Sequence, residues 1–170
     1  MYYKTNYKSM LGDILLACDE ESIIGLWISG QNDDIQDMIE DSGHPILKEC
    51  VKWLDGYFAG NKPSIDGLPL NPQGNEFRRL VWSLLAKIPY GSLVTYSDVA
   101  KEVARKTGKE KMSTQAVGGA VGHNPISIII PCHRVVGKGG NLTGYAGGLD
   151  KKIKLLSHEG VDMSKLHLPK

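Results

Sequence analysis

Residues 115–136 read QAVGGAVGHNPISIIIPCHRVV, and the fold class turns on how the two halves of that stretch are read. Ser113, just upstream, caps a short helix through TQAVGGAVGHN. Gly118 and Gly119 in its middle each cost roughly 1 kcal/mol relative to alanine. The small residues Ala116, Gly118, Gly119, Ala120 and Gly122 would let this helix approach another backbone closely, either a neighbouring helix or a nucleic-acid groove. In the second half, the turn HNP leads into a brief buried strand over 126–130, which Pro131 ends. Cys132 is then expected where strand becomes loop, a place where a scaffold holds a side chain rigidly yet within reach.

Three readings of Cys132 compete: a packed thiol, a metal ligand and a nucleophile. Zinc ligation uses closely spaced Cys or His pairs, and no second pair stands near, so a metal is not expected there. A nucleophile needs neighbours that favour thiolate. His133 is adjacent, but consecutive residues of an extended segment point to opposite faces, so contact would need a turn or a bridging water. A carboxylate such as Glu159, in LLSHEG, is a candidate to orient the histidine. Spacing alone leaves the packed thiol and the nucleophile both open.

Upstream, YGSLVTYSDVAKEVARKTG carries Thr95 and Asp98 at capping-box spacing, with Val99, Ala100, Val103 and Ala104 as the inner stripe of a helix that stops before Gly108. This helix and the 114–124 helix, joined by a tight turn, form a helix-turn-helix candidate. NEFRRLVWSLLAKIP is helical too, with Phe77, Leu80, Val81, Leu84 and Leu85 on one face and Pro89 ending it. The segment GNKPSIDGLPLNPQG, residues 60–74, reads as a connection, which sets domains at 1–73 and 74–170. Before it, HPILKECVKWLDGYFAGN predicts an amphipathic helix from Pro45 with Ile46, Leu47, Cys50, Val51, Leu54 and Phe58 inside. Residues 12–29 predict a hairpin around DEES.

The two halves differ most in charge. Residues 1–73 hold five Lys and Arg against twelve Asp and Glu, net −7, and residues 74–170 hold fifteen against seven, net +8, inside a total of only +1. A basic half suggests a polyanionic partner, nucleic acid first; mutual attraction of the halves is the plain alternative. Cys18, Cys50 and Cys132 are odd in number and far apart, which fits a reducing compartment and not a disulfide framework. The opening MYYKTNYKSM lacks a secretory apolar core, and no run approaches membrane-spanning length, so a cytoplasmic protein with no membrane partner is expected. Cys18, Cys50 and His44 make too loose a set for structural zinc, so neither metal nor cofactor is expected.

PCHRVV resembles the active-site signature of the O6-alkylguanine-DNA alkyltransferases, or methylated-DNA–protein-cysteine methyltransferases. FRRLVWSLLAKIPYG, TYSDVA, the opening stretch, GYAGGL and KLLSHEG are similar to that family's successive blocks, in order and with similar gaps, across nearly all of residues 45–160. The resemblance implies an α+β chain, with an N-terminal ribonuclease-H-like α/β domain and a C-terminal helical winged-helix, helix-turn-helix domain. It implies direct-reversal repair: the protein, a monomer by default, binds double-stranded DNA containing O6-alkylguanine, with O4-alkylthymine a further candidate, and takes the alkyl group onto Cys132 once. A family relative that only reads alkylated bases would lack that cysteine.

By the same resemblance His133 relays the Cys132 proton through water and Glu159 orients His133. Asn124 holds the turn between recognition helix and active-site strand, and Tyr96 protonates the leaving guanine. Gln115, Ala116, Gly118, Gly119 and Arg134 meet DNA, while Tyr145, Ala146 and Val135 line the alkyl pocket. Gly137 to Asn141 correspond to the wing. One position departs from the family: most members carry an arginine that fills the gap left by the flipped base, where this chain has Gln115. Glutamine lacks guanidinium's charge and stacking plane, which implies weaker holding of the flipped state.

Overall fold

A computed structural model of the 170-residue chain describes residues 1–29 and 37–169. The chain divides into two compact units, Met1–Gln73 with Pro125–Ile129, and Gly74–Asn124 with Ile130–Lys170. Residues 125–129, placed with the second unit by the sequence, fold with the first.

In the first unit, β1 (Tyr3–Ser9), β2 (Gly12–Cys18) and β3 (Ile23–Ile28) form an antiparallel meander, and β4 (Ile39–Glu40) joins β1 in parallel, giving the order β3-β2-β1-β4. The β2–β3 hairpin lies where the sequence predicts it. Asp19 Oδ1 accepts from the N–H groups of Glu21 and Ser22, 2.9 and 2.7 Å away, which shapes its turn. β3 is buried along its whole length. Its Gly25 is required by packing, because the Trp27 indole lies where a Cβ would stand, 2.1 Å from the ring.

Helix α1 (Pro45–Phe58) starts with proline at its first turn and the His44 imidazole accepting from Ile46 N–H. Its buried face is Leu47, Cys50, Trp53, Leu54 and Tyr57. Ile46, Val51 and Phe58, assigned inward from spacing, are only half-buried. The stripe is rotated because Trp53 and Tyr57 stack on each other, ring centres 5.5 Å apart, and take the interior.

Residues 126–130 are not a strand. Ile126 makes a single bridge to Leu26 of β3, and Ile129 N–H then folds back onto Ser127 O at 2.8 Å. That closes a three-residue turn at Ile128, whose φ of 71° is strained for a β-branched side chain, at a cost of order 1–3 kcal/mol. The isoleucines are buried as the sequence implies, but by turns. Prolines at 125 and 131 deny N–H donors at both ends, so no ladder can extend.

The second unit begins with α2 (Glu76–Leu85), capped by Asn75. β5 (Val94–Thr95) runs directly into α3 (Tyr96–Thr107), whose Thr95–Asp98 capping box is complete and which ends at Gly108 with φ 71°. α4 (Thr114–Gly122) is capped by Ser113. The link from Gly108 to Ser113 carries the short polar stretch KEKM, and both caps lie where the sequence puts them. Helices α2, α3 and α4 pack pairwise, and the buried Trp82 indole N–H donates to Ala120 O at 2.8 Å. β6 (Val135–Val136) pairs with β5 in parallel, and α5 (Leu149–His158) follows.

The end of the chain returns to the loop after β6. His167 N–H donates to Gly140 O at 3.0 Å, and Leu142 N–H donates to His167 O at 2.8 Å. Leu166 and Met163 close over Val136, Leu142 and Leu156. No helix among the described residues is long and apolar enough to cross a membrane. Gly140 sits at φ 89°, and a Cβ there would meet Lys165 O at 2.1 Å. Gly140→Ala is therefore expected to destabilise the protein by at least about 1 kcal/mol, read as a lower urea midpoint at unchanged slope.

Candidate active site

Pro131 closes a tight turn, with Cys132 N–H donating to Ile130 O at 2.8 Å, and Cys132–Arg134 then form one turn of 3-10 helix. Cys132 is thus inside a turn, not at the end of a strand, and the three consecutive side chains fan apart instead of alternating. All three are buried. Asn124 pins the turn from behind, its Nδ2 donating to Ile130 O at 2.8 Å. That bond joins the two points where the chain leaves and re-enters the second unit.

His133 points at Glu159, with Nε2 2.6 Å from Oε2 and both side chains fully buried. Arg134 reaches the same carboxylate by two bonds, Nε to Oε1 at 2.8 Å and Nη2 to Oε2 at 3.1 Å. Its Nη1 donates to Ile88 O at 2.6 Å, and its guanidinium lies over the Tyr90 ring. Gly91 N–H completes the set by donating to Glu159 Oε1 at 3.0 Å. An ionised carboxylate can only accept, so the proton facing it is on His133 Nε2. Nδ1 is buried without a hydrogen-bond partner among the described residues. Burial holds the His133 pKa below its usual value; Glu159 opposes this, and the charges of Arg134 and Lys152 add to it. His133 is a neutral imidazole with an open Nδ1.

Burial raises the Cys132 pKa, so the resting group is a thiol. The Asn124 amide, the Lys152 charge and the Tyr145 hydroxyl pull the other way. Lys152 is itself buried, its Nζ donating to Val135 O at 2.7 Å, and desolvation pushes its pKa down to about 8. Tyr96, at the start of α3, accepts from Thr143 Oγ1 at 2.8 Å, and burial raises its pKa while the Thr143 bond lowers it. It borders a cleft of about 890 Å³ lined by Tyr96, Gln115, Gly118, Lys138, Thr143 and Gly144 among others.

Residues 76–161 match the family model for the DNA-binding domain of 6-O-methylguanine DNA methyltransferase, and residues 1–72 match that for its ribonuclease-like domain. The chain belongs to that family. It is 43% identical over 162 residues to the methylated-DNA–protein-cysteine methyltransferase of Methanosarcina acetivorans, covering 94% of this chain and 99% of that one. The Haemophilus influenzae methyltransferase of the same name is 37% identical over 160 residues, 94% of this chain and 87% of that one. The solved structure of Mycobacterium tuberculosis OGT in complex with DNA superposes with a TM-score of 0.80 at 34% identity, covering 97% and 94% of the two chains. The mixed α+β class, with a ribonuclease-like domain before a DNA-binding domain, is thereby established.

In this methyltransferase Cys132, Asn124 and Tyr145 come together, as do His133 and Glu159. Val135 is buried and offers its carbonyl to Lys152, whereas Ala146 is exposed on the turn closed by Gly148 N–H and Tyr145 O. Gln115, Ala116 and Gly119 are exposed on α4, and Gly118 lies by the Tyr96 ring. Arg134, expected to meet DNA, does not face solvent: it is 7% exposed and committed to Glu159 and Ile88. An internal carboxylate claims the guanidinium.

Sequence reasoning missed Lys152, Thr143, and the backbone of Ile88 and Gly91. Lys152 did carry a signal, since it lies in helical step with Leu149, Leu155 and Leu156, a charged residue on an apolar stripe. Lys152→Met is expected to slow iodoacetamide labelling of Cys132 about tenfold at neutral pH, the equivalent of roughly one pKa unit. In the wild type, Lys152 loses its charge as pH rises through about 8. Cys132 labelling should therefore rise with pH less steeply than for one independent group, and the variant should restore the simple curve.

Proposed function

We propose that Cys132 is the acceptor onto which this chain transfers the alkyl group of O6-alkylguanine in double-stranded DNA, once per molecule. The family performs direct-reversal repair by alkyl transfer to its own cysteine. The observation that carries the choice of Cys132 is its company. Burial pushes Cys18 up to about 11 and Cys50 up to about 12, with Asp19, Asp41 and Glu20 raising Cys18 further and Cys18 raising Cys50. Cys132 instead has the Asn124 amide, a buried ammonium and the Tyr145 hydroxyl, all of which favour thiolate.

In this reading the Sγ proton passes through water to the open Nδ1 of His133, leaving an imidazolium held by Glu159. The thiolate attacks the alkyl carbon in line, the S–C bond forms as the C–O6 bond breaks, and Tyr96 gives a proton to the departing guanine. The product thioether has no carbonyl for water to attack, so Cys132 is not regenerated. Because O6 lies inside the duplex, the base must be turned out, at a cost of a few kcal/mol. The second unit then acts as a winged helix, with α4 against a groove and Gly137 to Asn141 as the wing. This is supported by the open face of α4, where a Cβ added at Gly119 or Gly122 would meet nothing within 4 Å. Lys101 and Lys138 on the cleft suit a phosphate backbone. Tyr145 and the Val135 carbonyl border the alkyl group, and O4-alkylthymine is a second substrate of the same chemistry. The protein works as a cytoplasmic monomer, in keeping with three free cysteines.

The test is an intact mass after incubation with duplex DNA containing O6-methylguanine. One methyl per chain, mapped to Cys132 and absent in Cys132→Ala, is expected; methylation at Cys18 or Cys50 would refute the assignment. A second measurement addresses Gln115, which lines the cleft. Gln115→Arg is expected to speed repair of the duplex several-fold while leaving the reaction with the free base nearly unchanged, and equal gains on both would remove its role in base extrusion.

A further inference from the structure

We propose that Arg134 is a positioning residue of the alkyl-transfer reaction: its forked contact with Glu159 sets where the proton of the His133–Glu159 pair resides, and so keeps His133 Nδ1 open to receive the Cys132 proton. This rests on the reading that Cys132 and His133 are the reacting pair. The Glu159 side chain is fully buried, at the C-cap of α5 where the helix end is itself negative. Alone beside an imidazole, such a carboxylate would draw a second proton onto the ring, and Nδ1 would then donate where a base must accept. Arg134 meets both carboxylate oxygens and cannot give up its proton. It offsets the charge that would otherwise make His133 an imidazolium.

The geometry fits positioning by a fork in particular. Nε and Nη2 take one oxygen each, Gly91 N–H shares Oε1, and His133 shares Oε2, so the carboxylate plane is fixed and the imidazole is fixed with it. The third arm, Nη1 on Ile88 O, and the Tyr90 ring hold the guanidinium in turn. The other titratable groups facing the pair are Lys152 from α5, which also disfavours imidazolium, Cys132 from the same turn, and Tyr90. None of them bonds to the carboxylate from two sides. Arg134 touches neither the alkyl group nor Cys132 in this scheme, so its effect must run through His133.

The experiment compares wild type, Arg134→Gln and Arg134→Lys, using two readouts. The first is the nitrogen NMR signal of His133 in the resting protein, which does not depend on which group accepts the alkyl. Wild type is expected to show neutral imidazole with the proton on Nε2 from pH 6 to 8, and Arg134→Gln to show imidazolium at neutral pH. The second is the single-turnover rate of methyl transfer from duplex DNA as a function of pH. Its acid limb is expected to move up by about one pH unit in Arg134→Gln, a tenfold loss at the old midpoint that recovers at higher pH. Arg134→Lys keeps the charge but not the fork, and should fall between them; it serves alone if Arg134→Gln does not fold. A uniform loss of rate at every pH, with His133 neutral in the variants, would make Arg134 merely structural and overturn the proposal. If instead the imidazole behaves as expected but methyl does not appear on Cys132, the acceptor assignment fails and the role of Arg134 in the pair stands.

Discussion

The second unit is organised by the need to bury one carboxylate. Removing an ionised group from water costs several kcal/mol even after relaxation, and only a full set of donors offsets it. Glu159, at the end of α5, has that set from two segments distant in sequence: Gly91 from the α2–β5 connection, and His133 and Arg134 from the PCHR turn. None of these segments can shift without leaving a charge unpaired. The turn conformation follows from the same need, since an extended PCHR would send His133 and Arg134 to opposite faces and only one could reach Glu159.

The thiol is organised by a milder version of that tension. Cys132 is buried enough to stay protonated at rest, which protects it from oxidation and adventitious alkylation, yet it is surrounded by groups that help it ionise. In the proposed reaction, a neutral His133 and a protonated thiol are the starting state a base needs. Had the site made thiolate outright, His133 would have had no proton to take. Burial of Lys152 contributes to both sides, favouring thiolate at Cys132 and opposing imidazolium at His133.

What was legible in the sequence was whatever local rules decide. The Thr95–Asp98 box, the Ser113 cap, the glycine stop at 108 and the β2–β3 hairpin depend on neighbours within a few residues, and each appears where the pattern puts it. β1 escaped because YKTNYKS alternates between half-covered polar side chains, with Thr5 alone buried. Residues 126–130 misled because hydrophobic runs report burial and not the ladder; two prolines and one bridge made turns of them. At the site, Cys132, His133 and Glu159 were named by motif and resemblance, whereas Lys152 and the Arg134 contacts depend on which face of α5 turns inward. Periodicity cannot rank a lysine as buried when its partners are backbone carbonyls from other segments.

Arg134 also changes how the charge split is to be understood. Fifteen basic residues in 74–170 suggested a surface for a polyanion, yet Arg134 and Lys152 are internal. Arg134 cancels against Glu159, so the outward excess is nearly unchanged, but its location is not: it belongs to residues such as Lys101 and Lys138 at the cleft. On α4 itself the outward face is nearly uncharged, with Gln115, Ala116, Gly119 and Gly122 exposed. Gly119 and Gly122 lie against no other element among the described residues, so the alternative that they admit a neighbouring helix does not hold at those two positions. A face that is small and neutral, flanked by cations, suits close approach to any sequence and reads none, because backbone charge supplies attraction without base-specific contacts.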